Sequence, residues 1–198
     1  MAIYNIILEG PDGVGKSTVG KLLAEELRAE LRHCVPIKQD WLSNVCSDAE
    51  YFSARAGANT YTITDRWFGI SDLVYNPEAK INDLLFMLDQ FHVDGGAFIA
   101  MPVFIVVAAT GEDALVERIN QRGDAYYTAE QILDFNAKYR KLARLFVDAG
   151  VPCLVFSLGG EALMDDSTSA DIAEHIVRLA TKKSLTNILE VEEQWIKW

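Results

Sequence analysis

A glycine-rich run follows the first apolar segment of the chain, and its spacing suits phosphate binding: Gly10-Pro11-Asp12-Gly13-Val14-Gly15-Lys16-Ser17. Glycines let the backbone turn so tightly that successive N–H groups face one anion. We expect Lys16 to reach the β- and γ-phosphate oxygens of a nucleoside triphosphate and the Ser17 hydroxyl to bind Mg²⁺. The residues predicted to bind ATP and its phosphates are Gly10, Asp12, Gly13, Val14, Gly15, Lys16, Ser17 and Thr18.

A second charged group, Asp65 and Arg66, closes a later apolar segment. A carboxylate at a strand end can hold Mg²⁺ directly or through water, and an arginine there can clamp a phosphate with two hydrogen bonds. The alternatives are a helix-capping or turn aspartate and a surface arginine paired with a carboxylate. The phosphate-binding interpretation makes Ser17 and Asp65 metal ligands and adds Asp65 and Arg66 to Lys16 as catalytic residues.

Two further arginines, Arg118 and Arg122, lie four residues apart on one predicted helix face, just before Gly123. A helix end followed by glycine and a polar stretch can form a mobile lid, and lid arginines can neutralise charge on a phosphoryl group in transfer. The alternative is a solvated basic face paired with nearby acidic residues. We predict a lid near residues 118–128 and a catalytic role for both arginines.

Short apolar runs alternate with longer helical patterns along the chain, which predicts a three-layer α/β fold with a five-stranded parallel sheet flanked by helices. Pro36 favours an edge position for the second strand, because proline cannot donate to an inner ladder. The predicted strands are Tyr4–Leu8, Cys34–Lys38, Tyr61–Thr64, Val103–Val107 and Cys153–Phe156. The predicted helices run from the phosphate loop to about Leu31 and over Ser71–Tyr75, Glu112–Gln121, Thr128–Ala149 and Ala170–Thr181.

The length of 198 residues predicts one domain. We assign residues 1–182 to it and 183–198 to a C-terminal helical tail, whose tryptophans would pack on the domain or on a second subunit. The formal net charge of −11, with no basic run, argues against a stable nucleic-acid partner. No segment predicts a leader or a membrane span, so we expect a cytoplasmic protein, in the host cytoplasm if the source is viral.

Five motifs resemble the thymidylate kinase family of nucleoside monophosphate (NMP) kinases, which has the P-loop NTPase fold, and its compact bacteriophage members most of all. They are GPDGVGKST, YFSARAG, TITDRW, SDLVY and ALVERINQRGD. The resemblance implies that Asp12 contacts the 3′-hydroxyl of the acceptor sugar and that Arg66 binds the acceptor phosphate. It also implies base stacking by Phe52, a phosphate contact by Arg55, sugar and base contacts by Ser71 and Tyr75, and a possible homodimer.

The resulting functional prediction is a kinase that passes the γ-phosphate of ATP, with Mg²⁺, to a deoxynucleoside monophosphate such as dTMP or a related pyrimidine nucleotide. One alternative is a deoxynucleoside kinase, in which Asp40, after the second predicted strand, would serve as base. Another alternative is a nucleotide-binding switch or ATPase without a small acceptor. The N-K-x-D string of guanine-specific switches is absent from the sequence.

Overall fold

A single parallel sheet organises the protein, for which a computed structural model describes residues 2–33, 60–76, 97–123, 127–151, 153–163 and 166–181. Five strands in these ranges are ordered β2-β3-β1-β4-β5, and every neighbouring pair is parallel. Their bounds are β1 Ala2–Glu9, β2 Glu30–His33, β3 Thr60–Asp65, β4 Ala97–Val107 and β5 Leu154–Leu158. The predicted five-stranded parallel sheet is confirmed, and the second strand lies at an edge.

Helices cover both faces of the sheet and complete three layers. They are α1 Lys16–Glu26, α2 Phe68–Tyr75, α3 Glu112–Arg122, α4 Ala129–Asp148 and α5 Asp166–Thr181. One core cluster joins Leu23 and Ile176 to one face of the sheet, whereas Ile70 and Phe146 pack on the other face. Among the described helices, none has the length and apolarity to cross a bilayer.

The inner strand β4 contains Pro102, a residue that cannot donate to a strand ladder. The register explains why it is accepted there. Pro102 lies opposite Ile7 of β1, but pairing with β5 begins only at Val103. At this level β4 has β1 as its one described neighbour, and from Val103 to Val107 the strand pairs with β5 and is fully buried.

The predicted end of the first helix and the predicted start of the second strand were wrong. Helix α1 stops at Glu26, not near Leu31, and β2 starts at Glu30 and not at Cys34. The predicted range Cys34–Lys38 itself lies outside the described residues. The cause is a left-handed residue, Arg28, with a φ of 49°. The Ala29 N–H donates to the Ala24 carbonyl at 2.9 Å, which with the bond from Arg28 to Glu25 forms a Schellman end without glycine.

The long helix α4 agrees with its prediction because its ends carry ordinary signals. The Thr128 hydroxyl accepts from the Gln131 N–H, and the Gln131 side chain accepts from the Thr128 N–H, which forms a capping box. At the other end Gly150 has a φ of 68° and ends the helix in the same way as Arg28 ends α1. The predicted bounds Thr128–Ala149 are the two capping residues of the observed helix.

A buried asparagine on α4 completes the end of β4 beyond its pairing with β1. The Asn136 side chain accepts from the Val107 N–H and donates to the Val107 carbonyl, both at 2.9 Å, as a neighbouring strand would. Its amide also lies 3.3 Å from Glu112 at the start of α3, and Glu112 faces Arg140 at 3.7 Å. Asn136 therefore ties the sheet to both helices near the predicted lid.

We predict that Asn136→Ala lowers the free energy of unfolding by about 2–4 kcal/mol, because it leaves a buried N–H and a buried carbonyl without partners. Urea unfolding measures this loss. The control is Asn120→Ala on the exposed face of α3, for which we expect a change below about 0.5 kcal/mol. Equal small effects for both variants would contradict the assigned role of Asn136.

Candidate functional site

The candidate site lies where β1 and β3 end side by side. Leu8 is paired with Asp65, and the Arg66 N–H donates to the Leu8 carbonyl at 3.0 Å. The next residues of both strands therefore leave the sheet at the same edge. In parallel α/β sheets this edge, at the carboxyl ends of the strands, is the usual place for a ligand.

The loop after β1 has the backbone geometry of a phosphate cradle. Gly10 has a φ of 152°, and a Cβ there would lie 2.1 Å from the Ile105 carbonyl oxygen, so a side chain cannot be accommodated. Helix α1 begins at Lys16, and its capping residue Gly15 supplies no side-chain bond. With no acidic residue in its first turn, the helix directs its free N–H groups and positive end at the loop.

Lys16 is buried, and its ammonium group donates to the Pro11 carbonyl at 2.7 Å. Burial first, and then the charge of Arg66, lower the pKa of Lys16 to about 7, against the opposing effect of Asp12, Asp65 and Glu9. The Lys16 side chain therefore lies against the loop in which we predict that it binds phosphate. A phosphate bound there would favour the charged form, because an opposite charge at close range stabilises it.

The two predicted metal ligands meet. The Ser17 hydroxyl donates to a carboxylate oxygen of Asp65 at 2.8 Å. Hydroxyl and carboxylate oxygens suit Mg²⁺, which commonly takes one or two protein ligands and completes its shell with phosphates and water. This hydroxyl and carboxylate pair therefore fits a metal that arrives with nucleotide phosphates. Within the described residues there is no group of three or more His, Cys, Asp or Glu that could hold a metal ion.

The Arg66 guanidinium donates hydrogen bonds to three side chains. One terminal nitrogen donates to the hydroxyls of Tyr75 and Tyr139 at 2.5 and 2.8 Å, and the other donates to Asp12 at 2.6 Å. Burial opposes its charge, but Tyr139, Tyr75, Asp12 and Glu9 outweigh burial and raise the pKa of Arg66 further above its usual value. Its φ of 66° is strained for a side chain of this size, and such strain persists only where the surroundings fix the residue.

Aromatic rings line the site next to Arg66. The Tyr75 ring lies 4.6 Å from Phe135 and 6.4 Å from Tyr127, between ring centroids, and Tyr127 is 38% exposed. The Arg66 guanidinium carbon lies 5.1 Å from the centre of the Tyr75 ring. Sequence analysis found Tyr75 but missed Tyr127, Phe135 and Tyr139. The helical spacing of 135 and 139 indicates a shared face, but not its contact with the end of β3.

Glu9 was also missed, although an acidic residue directly before the first loop glycine is a usable signal. Its carboxylate is fully buried and accepts from the Trp67 N–H at 2.7 Å, the Ser71 hydroxyl at 3.0 Å and the Tyr139 hydroxyl at 3.1 Å. Burial raises the pKa of Glu9 to about 7, and these hydrogen bonds with Arg66 limit the rise. Ser71, predicted to contact the acceptor, is thus buried and bonded to Glu9.

Helix α3 packs directly on the phosphate loop. A Cβ at Gly13, whose φ is 78°, would lie 2.7 Å from a side-chain carbon of Ile119. Arg118 donates to the Leu163 carbonyl, in the turn after β5, and Arg122 is exposed at the end of α3. The arginine roles in phosphoryl transfer remain predictions. Five further predicted residues or segments lie outside the described residues: Asp40, Phe52, Arg55, 124–126 and the tail 183–198.

Comparison with solved structures identifies the fold. The YorR protein of Bacillus subtilis, solved with phosphorylated GDP, matches at TM-score 0.60 and 24% identity, covering 88% of this chain and 94% of that one. Deoxyadenosine kinase from M. mycoides, with dCMP and dCDP bound, matches at 0.55 and 14%, covering 88% and 98%. Thymidylate kinase from Ehrlichia chaffeensis matches at 0.52 and 16%, covering 90% and 99%.

The resemblance to thymidylate kinases is therefore confirmed at the level of the fold, which is that of P-loop NTPases and NMP kinases. No family model matches the chain, and no curated protein matches it significantly.

We predict that Gly13→Ala weakens both folding and nucleotide binding, because the new methyl group displaces α3 from the loop. Gly123→Ala is the matched control, since its φ of 69° is also left-handed but a Cβ there meets nothing within 4 Å. We expect Gly123→Ala to cost about 1–2 kcal/mol of unfolding free energy, the left-handed penalty alone. Gly13→Ala should cost clearly more and raise the Kd for ATP by about tenfold or more.

A double variant separates the clash from the backbone strain. In an Ile119→Ala background, Gly13→Ala should cost no more than Gly123→Ala, because the obstructing side chain is gone. If Gly13→Ala costs the same in both backgrounds, α3 does not press on the loop as described.

Proposed function

We propose that this chain is an ATP- and Mg²⁺-dependent deoxynucleoside monophosphate kinase, with dTMP or a related pyrimidine nucleotide as acceptor. The observation that carries the proposal is the presence of two separate cationic groups at one sheet edge. Lys16 lies within the loop after β1, and Arg66 lies at the end of β3, fixed by partners from three other segments. A transfer between two phosphates needs a site of this kind for each.

The donor side consists of the loop and the start of α1. Backbone N–H groups and Lys16 would bind the β- and γ-phosphates, and Ser17 with Asp65 would hold Mg²⁺. Bound there, the metal supplies charge neutralisation between the phosphates. Arg118 and Arg122 belong to α3, the helix whose Ile119 side chain packs on Gly13. We assign them to neutralising the phosphoryl group in transfer.

The acceptor side is built around Arg66. A guanidinium has five N–H groups, and the bonds to Tyr75, Tyr139 and Asp12 use three of them. The remaining two, on Nε and one terminal nitrogen, suit two oxygens of an acceptor phosphate. Asp12, whose side chain is 50% exposed beside Arg66, would accept from the acceptor sugar hydroxyl, and the exposed face of Tyr127 would lie beside the base.

The chemistry requires alignment and charge compensation, without a general base. A nucleotide phosphate with a second pKa near 6 is ionised at neutral pH, so its oxygen can attack the γ-phosphorus directly. The new P–O bond forms as the bond to the β–γ bridging oxygen breaks, and ADP leaves. Lys16 and Arg66 hold the two phosphates for this in-line displacement.

The organisation that follows is a single kinase domain over residues 1–182, with a lid near 118–128 and a tail at 183–198. Its partners would be small-molecule nucleotides and, in a homodimer, a second copy of the chain. Asp40, Phe52 and Arg55 would complete the acceptor pocket. The roles of Asp40, Phe52, Arg55 and the tail rest on the sequence motifs and the family resemblance, because these residues lie outside the described ranges.

We predict that ADP release from ATP·Mg²⁺ is stimulated by one or a few deoxynucleoside monophosphates, and that Arg66→Ala lowers kcat/KM for that acceptor at least about a hundredfold. The reason is the loss of charge-assisted bonds worth about 3 kcal/mol. A coupled assay over all deoxynucleoside monophosphates and deoxynucleosides measures it. The matched control is Arg144→Ala, whose exposed side chain pairs with Asp148 on α4 away from the site and should leave activity unchanged.

The same assay distinguishes the alternatives. Stimulation by nucleosides alone would assign a deoxynucleoside kinase, and Asp40→Asn would then abolish it. Slow hydrolysis that no acceptor stimulates would refute the monophosphate kinase and leave an ATPase or switch. Arg66→Lys tests geometry, because it keeps the charge but loses the planar fork, and should recover only part of the lost activity.

We also predict that Asp65→Asn raises the Mg²⁺ concentration needed for half-maximal ADP release by about tenfold or more, because it weakens the carboxylate ligand beside Ser17. The measurement is a Mg²⁺ titration at fixed ATP. Asp134→Asn is the control, as its carboxylate is exposed on α4 and pairs with Lys138. An unchanged Mg²⁺ requirement in Asp65→Asn would remove Asp65 from the metal site.

A further inference from the structure

A buried hydrogen-bond chain runs from Glu9 to Arg66, and the mechanism above gives it no role. Tyr139 of α4 stands in the middle: its hydroxyl lies 3.1 Å from a Glu9 oxygen and 2.8 Å from a terminal nitrogen of Arg66. Tyr139 and Glu9 have no exposed surface. Neither can therefore touch a bound nucleotide without rearrangement, but both lie behind the one guanidinium assigned to the acceptor phosphate.

The direction of these hydrogen bonds is fixed by the chemistry of the groups. An arginine can only donate, so the Tyr139 oxygen accepts from Arg66, and an ionised Glu9 accepts the Tyr139 proton. Trp67 N–H and Ser71 also face the Glu9 oxygens, at 2.7 and 3.0 Å. An ionised Glu9 can accept from all three neighbours at once, whereas a protonated Glu9 must reverse or lose the hydrogen bond with Ser71 or with Tyr139.

Glu9 reaches Arg66 by a second route, through α2. Glu9 accepts a hydrogen bond from the N–H of Trp67, the N-terminal capping residue of α2, and from Ser71, which lies one turn further along that helix. The last residue of that helix, Tyr75, accepts from Arg66 at 2.5 Å. The Glu9 carboxylate therefore positions both Tyr75 and Tyr139, which bind one terminal nitrogen of the Arg66 guanidinium. These two bonds do not use the Nε edge of the guanidinium.

We propose that Glu9 and Tyr139 are positioning residues that hold Arg66 in the orientation that binds the acceptor phosphate, an inference that rests on the proposed function. Ionised Glu9 accepts from all three neighbours, and protonation turns one of its oxygens into a donor, so the hydrogen bond from Ser71 or from Tyr139 must reverse or be lost. The acceptor site is thereby coupled to pH through a group that never touches the substrate.

The charged and titratable groups around Glu9 set the pH range. Burial raises the pKa of Glu9 to about 7, and Arg66 at the end of β3 limits the rise. Tyr139 on α4 has a pKa well above its usual value of 10, so it does not titrate near neutrality. Lys16 on α1 also interacts with Glu9. The ordered state is therefore expected above pH 7 and is lost as the pH falls through 7.

The first experiment uses the ligand-free protein and needs no turnover. Tyrosine is labelled with ¹³C at Cζ, and the Tyr139 signal is assigned by its absence in Tyr139→Phe. We expect this signal to shift with a midpoint near pH 7 in the wild type and in Lys16→Met, which removes the other group with a pKa of about 7, and to lose this shift in Glu9→Gln. A constant wild-type signal, or the same midpoint in Glu9→Gln, would overturn the proposal.

The second experiment measures the acceptor and donor KM values separately. Tyr139→Phe keeps the ring but removes the hydroxyl, and it should raise the acceptor KM about tenfold or more while the ATP KM changes less than twofold. Glu9→Gln should raise the acceptor KM at pH 8. In the wild type, the acceptor KM should rise between pH 8 and pH 6 by more than the titration of the acceptor phosphate accounts for, and Glu9→Gln should lose this additional rise. Equal increases in both KM values, or none, would refute a positioning role.

The two experiments fail in different ways. If no acceptor stimulates the wild-type protein, the proposed function is wrong, and the tyrosine signal alone then decides whether Glu9 controls the Arg66 cluster. If acceptors stimulate the wild type but Tyr139→Phe has wild-type constants, the positioning inference is wrong and the kinase assignment stands.

Discussion

The parallel pairing of β1 with β3 determines where the charged groups of the site meet. With Leu8 opposite Asp65, the chain leaves both strands at the same level, and Glu9 and Arg66 come to lie on neighbouring paths. A slip by one residue would send every side chain of β3 to the other face of the sheet. The contacts of Ser17 with Asp65 and of Asp12 with Arg66 both depend on this register.

Burial then decides how these charges behave. The protein carries a net charge of −11, so a nucleotide meets an acidic surface and needs local cations. Lys16 and Arg66 are close enough for Arg66 to lower the pKa of Lys16, and the site tolerates both because Asp12, Asp65 and Glu9 surround them. In the ligand-free protein each cation is bonded to the protein itself, and phosphate oxygens would compete for those donors.

The sequence predicted the fold wherever a local signal carried the information. The glycine-lysine-serine spacing located the phosphate loop, and Thr128 and Gly150 located the ends of α4. The first helix was predicted too long because Arg28 adopts the left-handed conformation that usually requires glycine. The backbone hydrogen bonds from Arg28 and Ala29 end the helix, and no residue type in this segment predicts them. The error moved the second strand as well, since that strand can start only after the helix has ended.

The predicted part of the site consists mainly of residue types that phosphate binding demands, and the missed part includes Glu9 and Tyr139, which lie buried behind Arg66. Loop glycines, Lys16 and Arg66 are recognisable because phosphate chemistry demands those types. Glu9 and Tyr139 are far apart in the sequence. They meet only because α4 packs on the face of the sheet that carries Ile7 of β1. Their types are explained by one another: a buried carboxylate needs donors, and a buried phenol that accepts from an arginine needs an acceptor for its own proton. Such mutual requirements appear only after the fold has placed the groups together.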